Sequence, residues 1–161
     1  DERKVLRAVG RAHLQTNLPI FTHTANGAAA VEQLDLLESV GVDPQRVAIG
    51  HLGYPDVQVH GALCARGAYV GFDRLGGAPD ADAAQVPMVM GLLEAGYADN
   101  VLLASDFAMA RDITRNGGVG YAKTITQFVP MLREAGVGDD AIHTMTVENP
   151  LRFLAFVPRS V

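Results

Sequence analysis

Arg46-Val47-Ala48-Ile49-Gly50-His51 is the stretch from which the fold can be read. Its apolar residues run without alternation and stop at a glycine and a histidine. A strand with one face in water alternates apolar and polar side chains, whereas an unbroken apolar run marks a strand covered on both faces, as in a parallel sheet. Three further segments read the same way: Pro19-Ile20-Phe21-Thr22, Ala68-Tyr69-Val70-Gly71-Phe72 and Asn100-Val101-Leu102-Leu103-Ala104.

The segments between these runs have helical spacing. Val5, Leu6, Val9 and Ala12 predict a helix over 2–16, stopped by Asn17 and Pro19. Further helices are expected over 28–40, 57–66, 86–95 and 121–135, with Gly41, Gly67, Gly96 and Gly136 just past their ends. Asp139-Asp140 can cap a short helix, and a last one is expected over 148–156 with Pro150 in its first turn. Helix alternating with strand in this way predicts an α/β fold of four parallel strands with helices.

Composition bounds the function. The 161 residues carry 13 Lys+Arg against 18 Asp+Glu, a net charge of −5, and 48% are hydrophobic. Such a chain can bury a core as one domain, and its acidity argues against sequence-independent nucleic-acid binding. No apolar run approaches the roughly 18–20 residues of a membrane span, so no membrane association is expected. One cysteine, Cys64, excludes an internal disulfide and is expected in the core. The start, Asp1-Glu2-Arg3-Lys4, has neither an initiator Met nor a signal pattern, which reads as a mature or truncated chain in the cytoplasm.

In βα proteins the chemistry gathers at the carboxyl ends of the strands. Here those ends read Phe21-Thr22-His23-Thr24, Ile49-Gly50-His51, Gly71-Phe72-Asp73-Arg74 and Leu103-Ala104-Ser105-Asp106. Any one of these polar residues alone is an ordinary strand-end residue bonded to a loop. Two histidines and an aspartate at matching ends of separate strands are the donor types of a divalent transition metal, with Zn first and Co, Mn or Fe as options. His13, His60 and His143 read as surface or boundary residues. Gly76-Gly77 and Gly117-Gly118 fit no phosphate-loop pattern, and Ser105 lies in no GxSxG turn.

These strand ends resemble the phosphotriesterase family of the amidohydrolase superfamily, in particular its phosphotriesterase-related and lactonase members. The resemblance is carried by Leu18–Thr24, Val47–Gly53, Gly71–Leu75, Gly96-Tyr97, Ala104–Phe107 and Val147–Leu154, and it runs the length of the chain. It implies a metal-dependent hydrolase of the (β/α)8 barrel type, acting on a small-molecule lactone, carboxyl ester or phosphotriester. His23 and His51 stand where the family has the two histidines of its more exposed metal. Asp106 stands where the family's catalytic aspartate binds the more buried metal and accepts a proton. Arg74 matches the arginine that lactonase members place beside the substrate, where phosphotriesterases have histidine, which favours a lactone or ester. Tyr54 departs from the aspartate many members have there, and Asp56 lies two residues later.

The resemblance covers only the second half of such a barrel, strands five to eight. The first half brings a His-x-His pair and a metal-bridging carboxylated lysine. This sequence has no His-x-His, and its two lysines are Lys4 and Lys123. At most three of the family's six ligand positions are therefore present, against a barrel that needs roughly 250 residues. Two expectations follow. Either the remaining strands come from missing sequence or a second copy, giving a homodimer, or the chain is an inactive half-barrel that binds a small molecule or serves as a scaffold. An open four-stranded half is also expected to expose two sheet edges and the apolar barrel interior.

Overall fold

The computed structural model describes residues 1–53, 57–76 and 79–159. Its sheet has four parallel strands in sequence order: β1 (Ile20–Thr22), β2 (Val47–Ile49), β3 (Tyr69–Phe72) and β4 (Val101–Leu103). Ile20 pairs with Val47, Ile49 with Val70, and Val70 with Val101. The pairing continues past the strands, through Gly50 N–H to Thr22 O, Leu52 N–H to Gly71 O and Leu75 N–H to Ala104 O. The first residues of the loops are thus held in line with the sheet. Each strand is shorter than its apolar run, and a 3₁₀ turn (Pro44–Arg46 or Ala98–Asn100) takes the first residues of the second and fourth runs.

The helices are α1 (Glu2–Thr16), α2 (Ala30–Glu38), α3 (Val57–Ala65), α4 (Pro79–Ala83), α5 (Val86–Glu94), α6 (Val129–Glu134), α7 (Asp139–His143) and α8 (Asn149–Leu154). One local device ends four of them. Gly41, Gly67, Gly96 and Gly136 all have positive φ, and the residue after each donates to the carbonyl of a leucine five positions back: Leu37, Leu63, Leu92 or Leu132. These are Schellman motifs, in which only glycine takes the left-handed turn without strain. Each of the four leucines is fully buried, so the motif fixes both the helix end and a core contact.

The expected helix over 121–135 is instead a π-helical turn, Thr124–Phe128, leading into α6, and a second π turn, Thr144–Glu148, leads into α8. Each is followed at once by a helix with proline in its first turn, Pro130 or Pro150. Proline lacks the N–H for an i→i−4 bond and its ring crowds that carbonyl, and the wider π turn accommodates both. The short helix α4 has no periodic signal long enough to read in the sequence.

The main core lies between the sheet and the helices, around Leu34, Ile49, Val70, Phe72, Val101 and Phe128. The opposite face, toward a barrel interior, carries Ala48, Tyr69 and Leu102. These are not left open as expected: Phe153 of α8 covers them and is itself 4% exposed. Its ring stands edge-on to Phe21 at 6.1 Å and tilted against Tyr69 at 5.3 Å. α8 is drawn across the amino ends of the strands by Asn149, whose buried Nδ2 donates to Ala98 O and Val101 O, both at 2.7 Å. Of the inner face, Phe21 stays half-exposed.

His13 and His60, expected at the surface or a boundary, are buried. His13 Nδ1 donates to Leu18 O at 2.6 Å and so closes the turn into β1. The His60 ring stands edge-on to Phe72 at 5.5 Å. Cys64 is in the core, where burial pushes its thiol up to about 12. Among the described residues, no helix is long and apolar enough to cross a membrane.

Candidate functional site

His23, His51, Arg74 and Asp106 follow β1, β2, β3 and β4, and the parallel sheet brings all four to its carboxyl edge. The His23 and His51 rings meet nearly perpendicular, with centroids 4.5 Å apart. His51 Nε2 lies 3.8 Å from Asp106 Oδ2, and Arg74 Nε lies 3.8 Å from the same oxygen. Asp106 and Arg74 are about half exposed and His51 is mostly covered, so the cluster opens to solvent on one side. Arg74 is steadied by Nη1 donating to Asn26 Oδ1 at 3.1 Å. Tyr54 and Asp56, also considered from the sequence, lie outside the described residues.

Two of these residues have strained backbones. His51 has φ 60° and Asp106 has φ 52°, a left-handed conformation that non-glycine residues adopt only when their surroundings hold them there. For His51 the hold is Asp73. Its carboxylate accepts from His51 N–H (2.9 Å to Oδ1, 3.1 Å to Oδ2) and from Nδ1 (2.8 Å). Burial raises the Asp73 carboxyl above its ordinary range, and the bonds from His51 oppose that shift. Two glycines make room for it. A Cβ on Gly50 would sit 2.8 Å from Asp73 Oδ2, and one on Gly71 3.2 Å from it.

The surrounding loops are tied by buried side chains that the sequence did not single out. Thr24 Oγ1 donates to Gly50 O at 2.8 Å and accepts from Gly27 N–H, linking the ends of β1 and β2. Two residues beyond Arg74, Gly76 is gripped twice: Asp82 accepts its N–H, and Lys123 Nζ donates to its carbonyl. Both are buried. No local pattern marks them, because their partners lie 6 and 47 positions away.

A cleft of about 380 Å³ opens beside Asp106, lined by Ser105, Phe107, Tyr121, Thr124 and Ile125 among others. The Ser105 and Thr124 hydroxyls are 2.6 Å apart on its wall. Of the long loop after β4, Phe107 reaches this cleft, with its ring tilted against Tyr121. A larger cavity, about 600 Å³, lies at the amino ends of β2 to β4 around Arg46, Arg66 and Arg152, remote from the histidines.

The donor types suit a divalent metal, and His51, with Nδ1 bonded to a carboxylate, is oriented as metal-binding histidines are. The sphere is not closed, however. Among the described residues no three His, Cys, Asp or Glu side chains are gathered as a metal ion requires. The residues fit half of a metal site.

A four-stranded parallel half-barrel with this carboxyl-edge cluster defines a class, and the comparisons with known proteins agree. The profile of the phosphotriesterase family matches residues 1–154, and the chain belongs to that family. It is 36% identical over 154 residues to the phosphotriesterase homology protein of Escherichia coli, covering 94% of this chain and 53% of that protein. It is 30% identical over 177 residues to the aryldialkylphosphatase of Saccharolobus solfataricus, covering 96% of this chain and 53% of that enzyme. The crystal structure of a lactonase from Listeria monocytogenes superposes with a TM-score of 0.87 at 29% identity, over 97% of this chain and 50% of that one. The chain spans about half the length of the curated relatives it matches.

Proposed function

We propose that this chain is the C-terminal half of a metal-dependent hydrolase that cleaves a small-molecule lactone, carboxyl ester or phosphotriester. The observation that carries the reading is the convergence of His23, His51, Arg74 and Asp106 from four successive strands onto one open edge. Its relatives include an aryldialkylphosphatase and a lactonase, which supports hydrolysis as its chemistry.

His23, His51 Nε2 and the Asp106 carboxylate would supply part of the ligand set of a divalent-metal site, zinc first by donor type and cobalt, manganese or iron next. When bound, such a metal activates water as a nucleophile and polarises the attacked oxygen. Asp106, half exposed at the open edge, would carry the proton toward the leaving group. Arg74, 3.8 Å from Asp106, would orient the substrate's carbonyl or ring oxygen. The apolar cleft along Phe107, Tyr121 and Ile125 would take the leaving group. The remaining ligands and strands would come from missing sequence or from a second copy set against the free edges of β1 and β4.

The test is metal content by elemental analysis after growth with zinc or cobalt, together with lactone, ester and phosphotriester assays. Retained metal and turnover that Asp106→Asn lowers by about 10² or more would support the reading. Protein that holds no metal and turns over none of the three substrates would overturn it. The second reading, a half-barrel that binds without catalysing, rests on the unclosed ligand set.

A further inference from the structure

We infer that the cavity at the amino ends of β2 to β4 is a binding site for a small molecule bearing one carboxylate group, and that Arg46 receives that carboxylate. The inference stands apart from the hydrolase reading, because this cavity is at the opposite end of the sheet from His23, His51 and Asp106.

The cavity, of about 600 Å³, falls within the size range of small-molecule pockets. Three guanidinium groups line it, those of Arg46, Arg66 and Arg152. Two already have acids. Arg66 Nη2 is paired with Asp35 at 2.8 Å and with Glu38, and Arg152 Nη2 is paired with Asp99 at 2.7 Å. Arg46 has no carboxylate partner among the described residues. Asp43, three positions before it, is turned instead to the Gln45 N–H at 2.9 Å.

The hold on Arg46 is weak. Its Nη1 donates to Arg152 O at 3.3 Å, longer than an ordinary N–H···O bond. Its Nε and Nη2 are shut off from solvent and meet no acceptor among the described residues. A buried donor in that position has lost its hydration and gained nothing in return. Nε–H and Nη2–H are also the parallel pair with which arginine grips a carboxylate. A carboxylate entering the cavity therefore draws the fork round to itself, and one long bond gives way to two charge-assisted ones.

Charge selects the ligand. With Arg66 and Arg152 matched by their own acids, one positive charge is on offer, and the carboxylates of Asp43 and Asp99 stand in the same wall. A monocarboxylate balances Arg46, whereas a phosphate dianion sets a second negative charge against those two acids. Cys64, Ala65 and Tyr69 complete the wall without charge and suit an uncharged organic body.

The test is ¹H–¹⁵N NMR of arginine Nε–H groups and backbone amides in ¹⁵N-labelled, chelator-treated chain at about pH 7.5. Sodium acetate is titrated against sodium chloride at matched ionic strength, and inorganic phosphate in a parallel series. Expected is a saturable shift at Arg46 Nε–H and at the Gly67 and Asn100 amides, half complete at about 10 mM acetate or below. Phosphate should bind about 10-fold more weakly. Arg46→Gln should abolish the saturable amide shifts. Arg46→Lys, which keeps the charge and loses the fork, should weaken them about 10-fold. Acetate shifts no larger than those from chloride, saturable shifts that survive Arg46→Gln, or phosphate binding as tightly as acetate would each overturn the inference. If Arg46→Gln does not fold, Arg46→Lys and the wild-type comparison of the three salts decide it, and acetate bound equally well by Arg46→Lys refutes the role of the fork.

Discussion

Gly50→Ala should be the most damaging glycine-to-alanine change on the sheet, and its size follows from what the new methyl would meet. A Cβ there lies 2.4 Å from Thr22 O, 2.7 Å from Phe21 Cε1 and 2.8 Å from Asp73 Oδ2. The first is a backbone atom paired to Gly50 N–H across the β1–β2 ladder, so no rotamer change relieves it. Overpacking of this kind costs about 1–3 kcal/mol, and a backbone clash belongs at the upper end. Gly71→Ala meets Phe21 Cζ at 3.1 Å and Asp73 Oδ2 and the Gly50 Cα each at 3.2 Å, where a few tenths of an ångström suffice, so about 1 kcal/mol is expected. Gly61, inside α3 with nothing within 4 Å, is the control: alanine should stabilise by about 1 kcal/mol through helix propensity. At roughly 2–4 °C per kcal/mol for a domain of this size, thermal melts should show Gly50→Ala lowest by about 6–12 °C, Gly71→Ala slightly low and Gly61→Ala raised. Gly50→Ala melting level with Gly71→Ala would refute the packing account of this edge.

Phe153→Ala should cost about 3 kcal/mol in urea unfolding, because it uncovers Ala48, Tyr69 and Leu102 together; a loss below about 1 kcal/mol would mean that α8 does not cover the inner face in solution. Asn149→Ala removes a donor from the buried Val101 carbonyl and another from the half-buried Ala98 carbonyl, and should cost about 2 kcal/mol by the same measurement. Cys64 should resist alkylation in the native protein and react at the rate of unfolding. Its folded pKa of about 12 exceeds the ordinary 9.0, so its contribution is whole below about pH 9 and is lost as pH rises toward 12. Wild type should therefore lose about 1.4 kcal/mol per pH unit relative to Cys64→Ala over that range, and parallel alkaline stability curves would show the thiol titrating normally.

Much of this was legible in the residues, and the reason is locality. Helix ends are set by motifs within six positions, as at Leu37-Glu38-Ser39-Val40-Gly41-Val42, and buried parallel strands show as unbroken apolar runs. The four site residues were legible because each sits one to three residues after a strand, and parallel pairing in sequence order brings such positions to one edge. The boundaries were less so. A proline two residues into a helix reads as a start signal, while its effect on the preceding turn, the π turns before Pro130 and Pro150, depends on which carbonyl it crowds.

By itself, then, the sequence determined the order and direction of the strands, the caps that end the helices, and the edge where chemistry gathers, since each depends on neighbours a few bonds away. Only the tertiary structure decided that Asp73 reaches back 22 positions to hold His51, that Lys123 and Asp82 grip Gly76, that His13 and His60 are buried, and that Phe153 covers the inner face. Those contacts join residues far apart in the chain. They form where space and unpaired hydrogen-bonding groups coincide after packing, a condition that no local periodicity encodes.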